Sequence, residues 1–144
     1  MAIVVTGGAG FIGATLVEAL NRAGHEDIVI VEAWDHGESW HNLHGLSFTH
    51  IIDLKTFRDA LVGEAAGGLT GLDGDDVEAI FHLGACTDTL ETRIDHLLSV
   101  NTGFSKELLA WSAALRVPLI YASSASVYGA SQHPSHPERR TERP

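Results

Sequence analysis

Apolar residues fall along this chain in two rhythms. Short unbroken runs, such as Ile3-Val4-Val5 and Ile28-Val29-Ile30-Val31, alternate with stretches where apolar residues recur every three or four positions. Unbroken runs of this length fit strands buried on both faces, and the longer period fits helices. The pattern predicts a strand at the N-terminus, a helix from Phe11 to Ala23 stopped by Gly24, and a second strand ending at Glu32. Phe48 to Ile52 predicts a third strand, Lys55 to Ala66 a helix and Val77 to Leu83 a fourth strand. Val117 to Ala122 predicts a fifth, with Pro118 tolerated near its start. One long helix is expected from about Glu91 to Leu115, on a stripe from Ile94, Leu97 and Leu98 to Phe104, Leu108, Trp111 and Leu115. The step of six from Leu98 to Phe104 is bridged by Val100 or Asn101.

The segments between these are polar. Ala33 to Gly45, rich in His and Trp, reads as loop, and Gly67 to Asp76 as a surface turn. From His133 to Pro144 proline is the sole apolar residue, so 133–144 reads as a polar loop or disordered tail behind one domain at 1–132. Strands alternating with helices imply an α/β fold: a parallel sheet with right-handed crossovers, truncated after about five strands.

Composition narrows the function. The 144 residues are 44% apolar and 19% charged, as in globular domains. The net charge of −10 argues against nucleic acid and anionic membrane as partners, because each needs a basic face. No apolar run approaches the roughly 20 residues of a membrane span. The first apolar stretch has no basic residues before it and runs into glycines, so it reads as a strand and not a signal peptide. Cys86 is the single cysteine, which excludes an intrachain disulfide and leads us to expect a cytoplasmic setting.

The chemistry is concentrated at the first turn. Gly8-x-Gly10-x-x-Gly13, also readable as Gly7-x-x-Gly10-x-x-Gly13, follows a strand and opens a helix. Glycines let the chain turn tightly and let a pyrophosphate approach the backbone, while the helix N-terminus offers free N–H groups and about half a positive charge. Glu32, at the end of the second strand, stands near the expected distance of about 20 residues. The strand, turn, helix and acid together form a dinucleotide fingerprint, and the sheet becomes a Rossmann-type, doubly wound one. Glu32 suits the ribose hydroxyls of NAD and repels the 2′-phosphate of NADP. No Lys or Arg lies between Arg22 and Lys55 to offset it. NAD is favoured, although Lys55, His36 or His41 could supply a cation and favour NADP.

Four segments carry a family resemblance. Thr6-Gly7-Gly8-Ala9-Gly10-Phe11-Ile12-Gly13 resembles the opening of the extended short-chain dehydrogenase/reductases, the NAD-dependent epimerase/dehydratase family. Ile80 to Thr87, Ser105-Lys106-Glu107-Leu108-Leu109 after Asn101, and Tyr121-Ala122-Ser123-Ser124-Ala125-Ser126-Val127-Tyr128-Gly129 resemble its later motifs. With Gly37, Trp40, Asn42 and Leu43 in support, the combination is most similar to the branch that epimerises an ADP-linked heptose at C6.

The resemblance covers residues 2–129 and implies epimerisation of a nucleotide-sugar substrate by transient oxidation and re-reduction. It implies Gly7, Gly10, Phe11, Ile12 and Gly13 at the cofactor pyrophosphate, Glu32 at the ribose, and Asp53 and Leu54 beside the adenine. It further implies Leu83, Gly84 and Ala85 on the nicotinamide side, Asn101 in support, and Ser124 as the catalytic residue on the reacting oxygen. A homo-oligomer is expected at full length.

Two departures stand out. The heptose branch carries a basic residue near Ser39 and uses NADP; this chain has no basic residue there. The family's Tyr-x-x-x-Lys pair is also missing, since Tyr121 is followed four positions on by Ala125 and Tyr128 by Gln132. A tyrosine with pKa near 10 is a poor base at neutral pH without such a lysine. The chain therefore reads as the cofactor-binding N-terminal part of an enzyme, without the C-terminal substrate domain and inactive alone. Its last strand would be an exposed edge prone to pairing. A nucleotide-sugar 4-epimerase, a 4,6-dehydratase and a non-catalytic NAD-binding module remain alternatives. Cys86 has no evident base partner in the sequence and reads as packing. His41-x-x-His44 and His133-x-x-His136 lack a third metal ligand at telling spacing, so no metal is expected. Trp34 and Trp40 read as a partner surface or as a cover for the adenine.

Overall fold

A computed structural model describes residues 1–33, 39–62, 76–124, 127 and 129. Five strands form one parallel sheet: β1 (Ala2–Thr6), β2 (Ile28–Glu32), β3 (His50–Asp53), β4 (Val77–His82) and β5 (Leu119–Tyr121). Their spatial order is β3-β2-β1-β4-β5. This is the order of a mononucleotide-binding half, and it reverses direction between β1 and β4, where ligands of open α/β sheets bind. Helices α1 (Phe11–Arg22), α2 (Leu54–Val62), α3 (Ile94–Leu97) and α4 (Phe104–Leu115) connect the strands, with a π-helical turn, Leu98–Gly103, joining the last two.

The unbroken apolar runs are explained by two cores. Alternate residues of one strand point to opposite faces. Ala2 and Val4 of β1 and Val29 and Val31 of β2 pack under α2 and α4, against Phe57, Phe104, Leu108 and Trp111. Ile3, Val5, Ile28 and Ile30 pack on the other face against Val17 of α1. A strand covered on both sides has no position left for polar residues. In β4 the parity breaks, because Ala2 pairs with Val77 but Ile3 pairs with Ala79. Glu78 is the extra residue of a bulge, which lets Val77 and Ile80 share one core although they lie three apart.

Several elements differ from the sequence reading. The expected loop at 33–45 contains a 3-10 turn, Ser39–Leu43, because Leu43 is pulled into the core under β1 and β2. β3 begins at His50 and not at Phe48; Phe48 packs as an apolar plug, and the Thr49 amide donates to Ile28 O before the ladder starts. β5 is shorter than expected and runs Leu119–Tyr121, an edge with exposed Ile120 and Tyr121.

The long helix begins at Ile94 and is not uniform. Of its expected stripe, Ile94 and Leu98 are exposed, whereas Phe104, Leu108 and Trp111 are buried. The step of six marks the π turn, whose wider winding re-phases the chain so that Phe104 reaches the core. Arg58 of α2 anchors this joint. Its guanidinium forks onto Glu107 at 2.8 and 2.6 Å, donates to Ser99 Oγ at 3.1 Å and lies over the Phe104 ring. The glycine-rich turn expected after α2 and the tail at 133–144 fall outside the described residues, apart from Asp76.

Candidate functional site

The crevice opens at the carboxyl ends of β1, β2 and β4, and encloses about 320 Å³. Gly7 and Gly84 meet in its wall. Gly7 adopts φ +70, and a Cβ there would stand 2.6 Å from the Gly84 nitrogen. A Cβ on Gly13 would stand 2.0 Å from Gly7 O, so α1 can seat against the turn with hydrogen alone at that position. Both glycines are therefore demanded by backbone contact as well as by any ligand. Gly10 opens α1 with no side-chain cap, so the first-turn N–H groups have no partner from a capping side chain. An uncapped N-terminus behind a glycine turn has the chemistry of a pyrophosphate cradle.

Glu32 ends β2 beside this turn. Its Oε2 accepts the Ala9 amide at 2.9 Å, and its Oε1 accepts the Ala33 amide at 3.3 Å. The acid thus holds the glycine turn in place while keeping lone pairs that can accept hydroxyls, since a carboxylate has about four acceptor positions. Asn42 completes the brace from the other side, donating to Ala9 O at 2.9 Å. Nothing in the sequence pattern singled out Asn42 for this role, because the 3-10 turn that presents it lies in a polar stretch.

The cofactor-site residues expected from the sequence divide into two groups. Gly7, Glu32, Leu54, Gly84 and Ala85 line the crevice together with Ser39. The others stand around it. Gly10, Phe11, Ile12 and Gly13 form the turn and first helical residues, with Phe11 and Ile12 largely exposed. Asp53 caps α2 by accepting the Thr56 amide at 3.1 Å. Leu83 packs into the core on the α1 face. Asn101 braces the crevice wall through both ends of its amide: Oδ1 accepts Cys86 N at 2.7 Å, and Nδ2 donates to Cys86 O at 3.1 Å. Ser124 is exposed beyond β5, its carbonyl accepting the Val127 amide, and is not part of the crevice wall.

The floor of the crevice is polar where the strands end. Thr6 and His82 are partners in the β1–β4 register, and both are buried. Thr6 Oγ1 bonds His82 Nδ1 at 2.7 Å and accepts the Gly84 amide at 3.2 Å. His82 Nε2 bonds Ser105 Oγ at 2.8 Å, and Ser105 donates to Asn101 O at 2.9 Å. Burial pushes the His82 imidazole below its ordinary value of 6.5, towards the neutral form. Sequence reading passed over Thr6, His82 and Ser105 as site residues. The available signal was a polar residue, Thr6 or His82, closing each of the two central strands after an apolar run.

Cys86 has a neighbour that the sequence did not reveal. Cys86, Glu91 and His96 bring their ligand-type atoms within 4.8 Å of one another, the one such group among the described residues. The Glu91 carboxylate is engaged by Arg93, which holds its pKa down at about 2. Of the cations weighed against Glu32, Lys55 is paired with Asp59, and His41 stacks on the exposed Trp40. His36, Trp34 and the second histidine pair lie outside the described residues. No helix among the described residues is long and apolar enough to cross a membrane.

Comparison with known proteins agrees with this geometry. The family model described as "NAD dependent epimerase/dehydratase family" matches residues 3–144. The chain is 43% identical over 138 residues to an ADP-L-glycero-D-manno-heptose-6-epimerase of Alkalilimnicola ehrlichii, covering 93% of this chain and 41% of that protein. Among solved structures, a UDP-galactose 4-epimerase superposes with a TM-score of 0.72 at 27% identity, covering all of this chain and 45% of the other. A UDP-glucose-4-epimerase from Stenotrophomonas maltophila, with bound NAD and formylated UDP-arabinopyranose, gives 0.67 at 26% identity, covering 94% of this chain and 40% of the other. The chain thus spans about two fifths of the length of the relatives it matches. With its switch-point crevice, glycine turn and strand-end acid, it belongs to the NAD-dependent epimerase/dehydratase family.

Proposed function

We propose that this chain is the cofactor-binding portion of a nucleotide-sugar epimerase, with an ADP-linked heptose inverted at C6 as the substrate reading. The observation that carries the proposal is the uncapped α1 N-terminus behind a glycine turn that abuts Gly84, with Glu32 beside it. In this assignment Gly7, Gly10, Phe11, Ile12 and Gly13 hold the cofactor pyrophosphate. Glu32 accepts the adenosine ribose hydroxyls, and Asp53 and Leu54 flank the adenine. Leu83, Gly84 and Ala85 bound the nicotinamide side, with Asn101 fixing their continuation. Ser124 hydrogen-bonds the reacting oxygen. A bound nicotinamide supplies reversible hydride acceptance at the sugar carbon. The substrate reading is supported by the name of the 43% identical relative.

NAD is the favoured cofactor. Ser39 brings no positive charge to the crevice, and Lys55 pairs with Asp59, so among the described residues no Lys or Arg lines the crevice to offset the repulsion between Glu32 and a 2′-phosphate. Calorimetric titration of the chain with NAD and NADP tests this. Tighter NAD binding is expected, and tighter NADP binding overturns it. Because the sequence contains no Tyr-x-x-x-Lys, the 144-residue chain is expected to bind cofactor without epimerising. Assays of ADP-linked heptose and UDP-hexoses, with this chain and with the product of the whole reading frame, separate the readings. Turnover of heptose by the longer product alone supports the proposal. Turnover of the hexoses instead favours a 4-epimerase, and binding without turnover by either product favours a non-catalytic module.

A further inference from the structure

The hydrogen bonds beneath the crevice form one directional series. The Ser105 hydroxyl donates to Asn101 O, so its oxygen is available to accept from His82 Nε2. At the other end, the Gly84 amide donates to Thr6 Oγ1, so the Thr6 hydroxyl proton is free to go to His82 Nδ1. Every donor and acceptor is satisfied if the ring is neutral and carries its proton on Nε2. No buried side-chain polar atom among the described residues lacks a partner. We propose that His82, as the neutral Nε2–H tautomer, is a positioning residue for the dinucleotide site. Through Thr6 it fixes the Gly84 peptide against Gly7, and through Ser105 it ties that peptide to the π turn.

The proposal rests on the dinucleotide-binding reading above and adds a requirement to it. Gly84 and Gly7 touch backbone to backbone, so a shift of the Gly84 peptide reaches the glycine turn directly. The same π turn carries Asn101, whose side chain clamps Cys86 two residues further along the wall. The series therefore joins both ends of the Gly84-Ala85-Cys86 segment to one helical joint. A second proton on the ring converts Nδ1 into a donor facing Thr6 Oγ1. The Thr6 hydroxyl then loses its acceptor inside the sheet. The groups around the ring are Thr6 on β1, Phe104 edge-on and Ser105 on α4, with Lys106 of α4 and Tyr121 of β5 across a neighbouring cleft. None is a carboxylate that would stabilise the charged ring, in keeping with the lowering of its pKa by burial.

Nitrogen-15 NMR of the 144-residue chain without cofactor tests the tautomer. A protonated Nε2 and a bare Nδ1 are expected at neutral pH, with the Gly84 amide resonance moving at the midpoint of the His82 titration, below 6.5. An Nδ1–H tautomer, or a Gly84 amide that ignores the titration, overturns the proposal. NAD titrations across pH then test its consequence. Below the His82 midpoint, affinity should fall about tenfold per pH unit as the competent fraction shrinks. His82→Gln, which offers an acceptor and a donor without titrating, should bind with no such acid limb. A limb that persists in His82→Gln overturns the role of His82. A chain that shows the predicted tautomer and Gly84 coupling but binds no NAD at any pH would instead refute the dinucleotide-binding reading.

Discussion

The two strands that meet at the crevice, β1 and β4, are finished by different physics. β1 runs into a turn that Glu32 and Asn42 tie down at Ala9 but whose close fit is set by shape: at Gly7 and Gly13 any Cβ would strike backbone at 2.6 or 2.0 Å. β4 runs into a segment held by side-chain chemistry, with Thr6, His82 and Asn101 supplying the bonds that place Gly84 and Cys86. A fit set by shape fails when volume is added, whatever the pH. A corner held by hydrogen bonds tolerates small changes in volume but responds to lost partners and to protonation. The comparison also explains why the second corner needs support from afar. Its bonds reach the π turn, and that turn is placed by Phe104 in the core and by Arg58 on α2.

The largest expected effect therefore lies at that remote support. Phe104→Ala removes a side chain that is 1% exposed and packs edge-on against Phe57 and His82. It should cost about 3–5 kcal/mol in denaturant unfolding. A loss below about 1 kcal/mol would mean that the π turn does not depend on this core. Next comes Gly13→Ala at the shape-held corner, expected to cost about 3 kcal/mol and to abolish dinucleotide binding. Measured stability at pH 5 and 8 should drop by the same amount; a pH-dependent loss would break the contrast between the corners.

Asn101→Ala should be milder. It leaves the Cys86 peptide to solvent, for about 1–2 kcal/mol, and speeds hydrogen exchange at Cys86 while leaving the Gly7 turn protected. The smallest effect is the acid response of the unsubstituted chain. His82 has a folded pKa below its unfolded 6.5, so its contribution is complete above 6.5 and is lost as pH falls through the folded value. Unfolding midpoints should decline over that window and do so less in His82→Gln. Glu91 contributes in a separate and lower window, between its ordinary 4.5 and about 2.

Legibility followed the same division. The β1–α1–β2 unit could be read because each local signal agreed: apolar runs for strands buried on both faces, a glycine turn, and an acid at the end of β2. The helical stretch from Ile94 to Leu115 misled because periodicity assumes constant winding. The π turn absorbs the irregular step, so Ile94 and Leu98 leave the stripe while Phe104 and Leu108 keep it. The 3-10 turn at Ser39–Leu43 was hidden because Leu43 is a lone apolar anchor in a polar stretch.

Sequence by itself determined the parallel α/β sheet and the glycine turn with Glu32, because these depend on local pattern. Tertiary structure decided which side chains hold the crevice in shape. His82 is 76 residues from Thr6 and 23 from Ser105, and Asn42 is 33 from Ala9. Bonds across such separations form when the sheet register and the re-phased helix bring the partners together, and no local pattern records that meeting.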